Sequence, residues 1–474
     1  MNELIDRVPK QIFLAGKWQD SADGSRFGVQ DPSNEEQLCE VADAQDADAR
    51  AAIEAAVAAQ DEWGATALRE RGEILRRAWQ LMTDRADELA RLMTLEMGKN
   101  LEESKAEVTY AAEFFRWFSE EAVRIEGRYA RNPAGAGRML VSKHPVGPCL
   151  LITPWNFPLA MGTRKLGPAI AAGCTMIVKP AQLTPLSMLN LAALLQEAGL
   201  PDGVLGVLPS TSASRVVSPV LADPRIRKMS FTGSTEVGRK LVEQCAPNLQ
   251  RMSMELGGNA PFLVFDDASL DDAVTGAVTA KMRNNGESCV AANRFHVHSS
   301  IADEFVRRLT EKMSAVHADP LINAGQRDKV RELVDDALER GAHATTGGKP
   351  LAGKGFYYAP TVLTDVPPDA RILHEEVFGP VAPVTTFDSE DQALALAGDT
   401  EFGLVAYVFT RNLDRALRVG ERLRTGMVGL NTGLVSNAAA PFGGVKQSGF
   451  GREGGDEGID EYLDVKYLAL ALKE

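Results

Sequence analysis

A chain of 474 residues is too long for one small core, and its length points to two or three lobes. Hydrophobic residues at 45% and charged residues at 24% belong to an ordinary globular protein, while a net charge of −14 argues against a nucleic-acid or anionic-membrane partner and leaves room only for a local basic pocket. The five cysteines are scattered, odd in number and without a CxxC pair, and the six histidines lack ligand spacing, so neither a disulfide framework nor a metal site is expected. The start "MNELIDRVPKQIFLAG" has charges where a signal segment would be apolar, and "VGPCLLITPWNFPLAMG" is broken by three prolines. A reducing cytoplasm is the expected setting, with no membrane span.

In chain order, the first third reads as helix. "DARAAIEAAVAAQDEW" is alanine-rich behind an aspartate, and Arg69 to Met97 carries apolar residues such as Leu89, Leu92 and Met93 at helical spacing. "EGRYARNPAGAGRMLVSKHP" has a Gly/Pro-rich turn between two strand-like arms and predicts a hairpin. From Gly147, short apolar runs alternate with helical segments. "TPLSMLNLAALLQEAGL" is one, with Thr184 as N-cap, Pro185 at N1 and Gly199 as its stop. Such alternation predicts a parallel sheet covered by helices, with ligands beyond the carboxyl ends of the strands. It resumes after Asn259, and "GIDEYLDVKYLALAL" is again strand-like.

Four stretches could carry chemistry. "SFTGSTEVGRKL" is a strand, a Gly-Ser turn and a helix start that suits a phosphate, although an ordinary strand-to-helix turn has the same pattern. "TPWNFP" brackets Asn156 between two prolines, where its amide either donates to a developing oxyanion or simply caps. "MSMELGGNAP" puts Glu255 between apolar residues and a double glycine; it is either a buried carboxylate with a raised pKa, fit for a general base, or one turned back to solvent. "RNNGESCVAANR" sets Cys289 in a polar, glycine-containing segment, as a half-exposed thiol or a reactive one. None of these segments holds the histidine that a thiol protease would want as a base.

Together with "KPA", "EEVFGP" and "PFGGVKQSGFGREGG", and in this order, these stretches make the chain resemble the aldehyde dehydrogenase superfamily from end to end. "NFPLAMGTRKLGPAIAAGCT", "ELGGNAPFLVFDDASLDDAV", "CVAANR" and "GIDEYLDVKY" look most like its succinate-semialdehyde dehydrogenases. The resemblance implies an NAD(P)-dependent oxidation in which Cys289 is the nucleophile, Asn156 with the Cys289 backbone N–H holds the oxyanion, and Glu255 activates the hydrolytic water. It implies cofactor contacts at Thr153, Trp155, Lys179, Gln182, Gly233, Ser234, Leu256, Glu376 and Phe378, and a substrate carboxylate held by Arg164, Arg283 and Ser436. Gln182 stands where NAD-selective relatives often carry a glutamate, so NADP is expected to be preferred and NAD accepted.

The architecture implied is a Rossmann-like doubly wound cofactor domain (1–125 and 146–256), a second α/β catalytic domain (257–447) and a small β oligomerisation element (126–145 and 448–474), assembling as a homodimer or homotetramer. Broad aliphatic or aromatic aldehydes, or glutarate semialdehyde, are the alternative substrates. Two departures stand out. Glu287 replaces a glutamine common among relatives, and is expected either to raise the thiol pKa from the pocket side or to face solvent. Ala291 replaces the second cysteine of some relatives, so no local disulfide can form.

Overall fold

Strand order decides where this molecule can bind anything. The computed structural model describes residues 2–471. Its largest sheet runs Gly449–Phe450, Arg251–Glu255, Lys228–Thr232, Cys149–Ile152, Met176–Lys179, Leu205–Val207, Ile12–Leu14 and Lys17–Gln19. The five strands from Arg251–Glu255 to Leu205–Val207 are parallel. Strands 149–152, 176–179 and 228–232 are buried along their whole length, the polar Lys179, Lys228, Ser230 and Thr232 included, as a sheet covered on both faces requires. Counted along the chain, the parallel strands lie in the order 3-2-1-4-5. This is the doubly wound arrangement, with its switch point between Cys149–Ile152 and Lys228–Thr232.

The second sheet runs His343–Thr346, Thr361–Thr364, Val381–Phe387, Ala292–His298, Ala260–Val264, Val405–Phe409 and Met427–Leu430. All its pairs are parallel except the first. Only four residues separate the end of Arg251–Glu255 from the start of Ala260–Val264. The carboxyl edge of the first sheet therefore meets the amino edge of the second. Among the described residues, no helix is long and apolar enough to cross a membrane.

The expected hairpin forms between Arg128–Arg131 and Arg138–Pro145, and Leu463–Leu470 pairs along the whole of the second arm. Only that strand of the 448–474 segment joins the hairpin. Gly449–Phe450 pairs instead with the end of Arg251–Glu255 in the large sheet.

Two local expectations need correction, and a third holds with one break. The first third is not all helix: Ile12–Leu14, Lys17–Gln19, Arg26–Gln30 and Gln37–Ala42 are strands, two of them extending the large sheet. The run from Arg69 to Met97 is two helices, Leu68–Asp84 and Ala86–Met97, divided at Arg85. Thr184 occupies the N-cap position of Pro185–Glu197 but turns its hydroxyl to the Trp155 carbonyl. The free N–H groups of Leu186 and Ser187 donate to the buried Glu96 carboxylate, both at 2.8 Å. The carboxyl of another helix replaces the local hydroxyl, because its two oxygens accept from both free N–H groups at once.

Candidate active site

The switch point places two turns side by side. Strand 149–152 runs into Thr153, Trp155 and Asn156, and strand 228–232 runs into Gly233 and Ser234. Ser234 caps Thr235–Cys245 by accepting from Val237 N at 3.4 Å. A side chain at Gly238 would put its Cβ 2.5 Å from Leu256, so the glycine lets the helix settle directly on that leucine. The helix start, with its unpaired N–H groups, opens on a cavity of about 240 Å³. Trp155, Asn156, Gly233 and Ser234 line it from the first sheet, and Glu255, Leu256, Cys289, Glu376 and Phe378 complete it. Thr153, Lys179, Gln182, Arg164, Arg283 and Ser436 do not line it. Thr153 is buried behind the wall, where its N–H donates to the Lys179 carbonyl at 3.3 Å.

The thiol stands on a tightly wound loop. Asn284, Asn285 and Gly286 are all left-handed, with φ of 54°, 52° and 78°. Asparagine tolerates that region because its short amide bonds locally. Here the Asn284 amide donates to the Glu287 carbonyl at 2.9 Å, the Asn285 amide reaches the more distant Asp319 carbonyl at 2.8 Å, and a Cβ at Gly286 would collide with the Gly379 carbonyl. Cys289 itself is half-buried at the cavity, but Asn284 to Ser288 are all buried, so this polar segment is interior rather than exposed.

Glu287 explains part of that, and corrects both alternatives offered for it. Its carboxyl faces neither the cavity nor solvent. It is fully buried and accepts from Ile322 N at 3.0 Å, with burial pushing its pKa well above the ordinary carboxylate range. Its backbone carbonyl takes two amides, Asn156 Nδ2 at 3.0 Å and Asn284 Nδ2 at 2.9 Å.

Glu255 ends its strand only 2% exposed, which removes the reading that turned it to solvent. Neither carboxylate oxygen has a hydrogen-bond partner among the described residues. Burial, and then the nearby charge of Glu453, drive its pKa well up, against the pull of Arg164 and Lys165. The Cys289 thiol is pushed up to about 12, chiefly by burial, with Arg164 opposing and Glu376 and Glu255 adding. Burial therefore favours the protonated form of both groups. Glu376, which accepts from Gly258 N at 3.1 Å, is raised by burial to about 7.

Of the remaining cofactor candidates, Phe378 lines the cavity, and Lys179 and Gln182 do not. Phe378 sits at φ 54° and meets Trp155 edge-on, with ring centroids 5.3 Å apart. Gln326, which sequence reasoning missed, holds that strained backbone by donating to Phe378 O at 2.7 Å and Val377 O at 3.2 Å. A lone glutamine on a helix carries no signal that would have found it. Lys179 is 7% exposed, and its ammonium has no hydrogen-bond or ion-pair partner among the described residues. Burial lowers its pKa to about 8. Gln182 is exposed three residues further on.

The substrate candidates separate into two kinds. Arg283 Nη1 donates to Ser436 Oγ at 3.1 Å, which brings those two together as expected. Its guanidinium lies 5.1 Å from the ring centroid of Phe157, a cavity-lining residue, and forms no ion pair among the described residues. Arg164, expected to hold the substrate carboxylate, is instead buried and paired. Its Nε is 2.6 Å from Glu453, and its guanidinium lies over Phe442 at 4.1 Å. Its Nη2 approaches Met161 Sδ at 3.0 Å, and Met161 does line the cavity. Lys165 Nζ also bonds Glu453, at 2.5 Å, so two cations surround one carboxylate beneath Glu255. Glu453 lies inside the recognised "GREGG" stretch, but nothing in that spacing tells that it folds back some 290 residues along the chain.

The Aldehyde dehydrogenase family model matches residues 18–468. A succinate-semialdehyde dehydrogenase of Paenarthrobacter nicotinovorans is 57% identical, the match covering 92% of this chain and 99% of the relative. An NADP(+) succinate-semialdehyde dehydrogenase of Escherichia coli strain K12 is 48% identical, covering 98% of each chain. The crystal structure of succinate-semialdehyde dehydrogenase from Burkholderia pseudomallei superposes with a TM-score of 0.97 at 47% identity, covering 98% of each chain. The match over nearly the whole length, on a fold that gathers a thiol, a carboxylate and an amide at one cavity, makes this chain a member of the aldehyde dehydrogenase family.

Proposed function

We propose that the protein oxidises succinate semialdehyde to succinate, with NADP preferred and NAD accepted as hydride acceptor. The observation that carries the substrate is Arg283: a half-buried guanidinium near the nucleophile loop, fixed by Ser436 and Phe157, with no carboxylate partner among the described residues. An aldehyde with a distal carboxylate supplies that partner. Arg164, already committed to Glu453, adds its field from beneath the wall. Glutarate semialdehyde, one methylene longer, is the second reading, and neutral aliphatic or aromatic aldehydes leave Arg283 without a use.

The chain's own residues fit the reaction. Cys289 gives up its thiol proton to solvent as Sγ adds to the aldehyde carbon, and the oxygen's developing charge is held by the Asn156 amide and the Cys289 N–H. When bound, the nicotinamide cofactor supplies the hydride acceptor and a fixed positive charge. Glu255 takes a proton from the water that cleaves the thioester on Cys289, which releases the acid and restores the thiol. The start of helix Thr235–Cys245 suits the pyrophosphate, Glu376 and Phe378 the nicotinamide ribose and ring, and the unpaired Lys179 ammonium a ribose hydroxyl or a 2′-phosphate. Mixing the protein with NADP and succinate semialdehyde should produce absorbance at the reduced-nicotinamide band; a preference for butanal over the semialdehyde would overturn the substrate reading.

The carboxylate contact has its own test. A charged hydrogen bond contributes about 1.5–3 kcal/mol, or roughly ten- to hundredfold. Arg283→Ala should therefore lower kcat/KM at least about tenfold for succinate semialdehyde and change little for butanal. Equal losses on both would mean that Arg283 supports the loop.

Cofactor choice turns on position 182. A glutamate there, three residues from Lys179, would accept from both ribose hydroxyls and repel a 2′-phosphate. Gln182→Glu should shift the preference toward NAD, and an unchanged ratio of NADP to NAD efficiency would count against this reading.

We further read residues 1–125 and 146–256 as the cofactor lobe and 257–447 as the catalytic lobe. The hairpin and the last strand then serve as the oligomerisation element. Their sheet has two open edges and exposes Tyr129, Val465 and Tyr467, which favours pairing with a second copy as a dimer or a dimer of dimers. Light scattering that returned the 51.1 kDa monomer would exclude it. All five cysteines are free, which supports a reducing compartment such as the cytoplasm.

A further inference from the structure

Two charged residues outside the cavity hold the segment that carries the oxyanion amide. Lys99, between helices Ala86–Met97 and Leu101–Glu121, and Glu107, on the second of them, are each 1% exposed and form an ion pair at 2.5 Å. Lys99 Nζ also donates to the Asn156 carbonyl at 2.8 Å and lies 4.2 Å from the ring centroid of Phe157. Glu107 Oε1 accepts from Leu159 N at 3.0 Å and Ala160 N at 3.1 Å, where helix Ala160–Ala172 begins. One buried pair thus grips both ends of the segment from Asn156 to Ala160.

The same carbonyl of Asn156 accepts from Asn284 Nδ2 at 3.0 Å, and that amide also bonds the Glu287 carbonyl. The Asn156 side chain donates to that Glu287 carbonyl as well. The pair is therefore linked through one peptide to the loop that presents Cys289. An ion pair at this depth adds little net stability, because the cost of drying both charges offsets their attraction. What it supplies is a fixed geometry.

We propose that the Lys99–Glu107 ion pair is a positioning unit for the Asn156 amide, setting the place of the oxyanion donor without touching substrate. The inference rests on the reading of Asn156 as that donor. A displacement of an ångström in such a donor is enough to cost catalysis heavily while leaving substrate binding intact.

The test is a mutant cycle with two readouts. Lys99→Met with Glu107→Gln removes both charges together and leaves an amide oxygen to accept from Leu159 and Ala160. It should lower kcat with succinate semialdehyde by about tenfold or more, with KM changed less than about twofold. Alkylation of Cys289 by iodoacetamide should proceed at the parent rate, because the thiolate displaces iodide without forming an oxyanion. Adding the pair variant to Asn156→Ala should cost nothing further.

If Asn156→Ala is impaired and the pair variant is not, or if their losses multiply, the positioning role is wrong while the site reading stands. If Asn156→Ala turns over normally, the site reading itself fails. If alkylation slows in parallel with kcat, the pair is a structural support of the loop and the inference is overturned. Should the pair variant not fold, Glu107→Gln alone, which keeps Lys99 on the Asn156 carbonyl, is assayed in the same way. Its kcat must fall at least about threefold with alkylation unchanged, and a normal kcat overturns the inference.

Discussion

Replacing Cys289 by alanine should lower aldehyde oxidation by on the order of a thousandfold or more, because without a nucleophile no covalent intermediate forms and binding alone remains. The thiol is half-buried and its loop is held by bonds of Asn156, Asn284 and Asn285 that do not involve sulfur. The fold and the cofactor cavity should survive, so titration with NADP should give a dissociation constant within about twofold of the parent, and the melting temperature should move little. A variant that still oxidised aldehyde at about a tenth of the parent rate would remove Cys289 from the role.

Replacing Glu255 by glutamine should have a different signature. Acylation of Cys289 continues, whereas the water that releases the acid loses its base, a loss of about a hundred- to ten-thousandfold in the steady state. Stopped-flow mixing should show a burst of reduced cofactor close to one equivalent per subunit, followed by slow turnover, and intact-protein mass spectrometry should find the acyl adduct. The pH dependence follows from the raised pKa of Glu255. Burial and Glu453 favour the protonated, inactive base, so thioester hydrolysis in the parent should speed up as pH rises through that pKa and slow as pH falls below it. The glutamine variant should lose that dependence. Equal slowing of burst and steady state would place Glu255 before the thioester instead.

Much of this site is legible along the chain because its parts are local. The Gly-Ser turn before a helix, an asparagine between prolines and a thiol among polar residues each carry their chemistry within a few neighbours, and the ordered motifs identify the family. The hairpin is equally local: its turn chemistry and its two arms lie within twenty residues. The alternation of short apolar runs with helices predicts a doubly wound sheet because a parallel strand must be buried on both faces and needs a covered crossover.

What only the tertiary structure decided is where charges end up and which ends of strands meet. A strand's carboxyl end is the expected place for ligands, yet Cys289 stands before its strand, at the amino edge of the second sheet, and faces the carboxyl edge of the first. Arg164 is expected to meet a substrate carboxylate and is claimed by Glu453 from near the far end of the chain. Glu287 looks like a choice between pocket and solvent and lies in neither. Thr184 looks like a cap and yields to Glu96. In each case the sequence specifies a charge or a dipole, and its partner comes from a distant segment. Burial favours such a partner, because a dry ion or an unpaired helix end is costly.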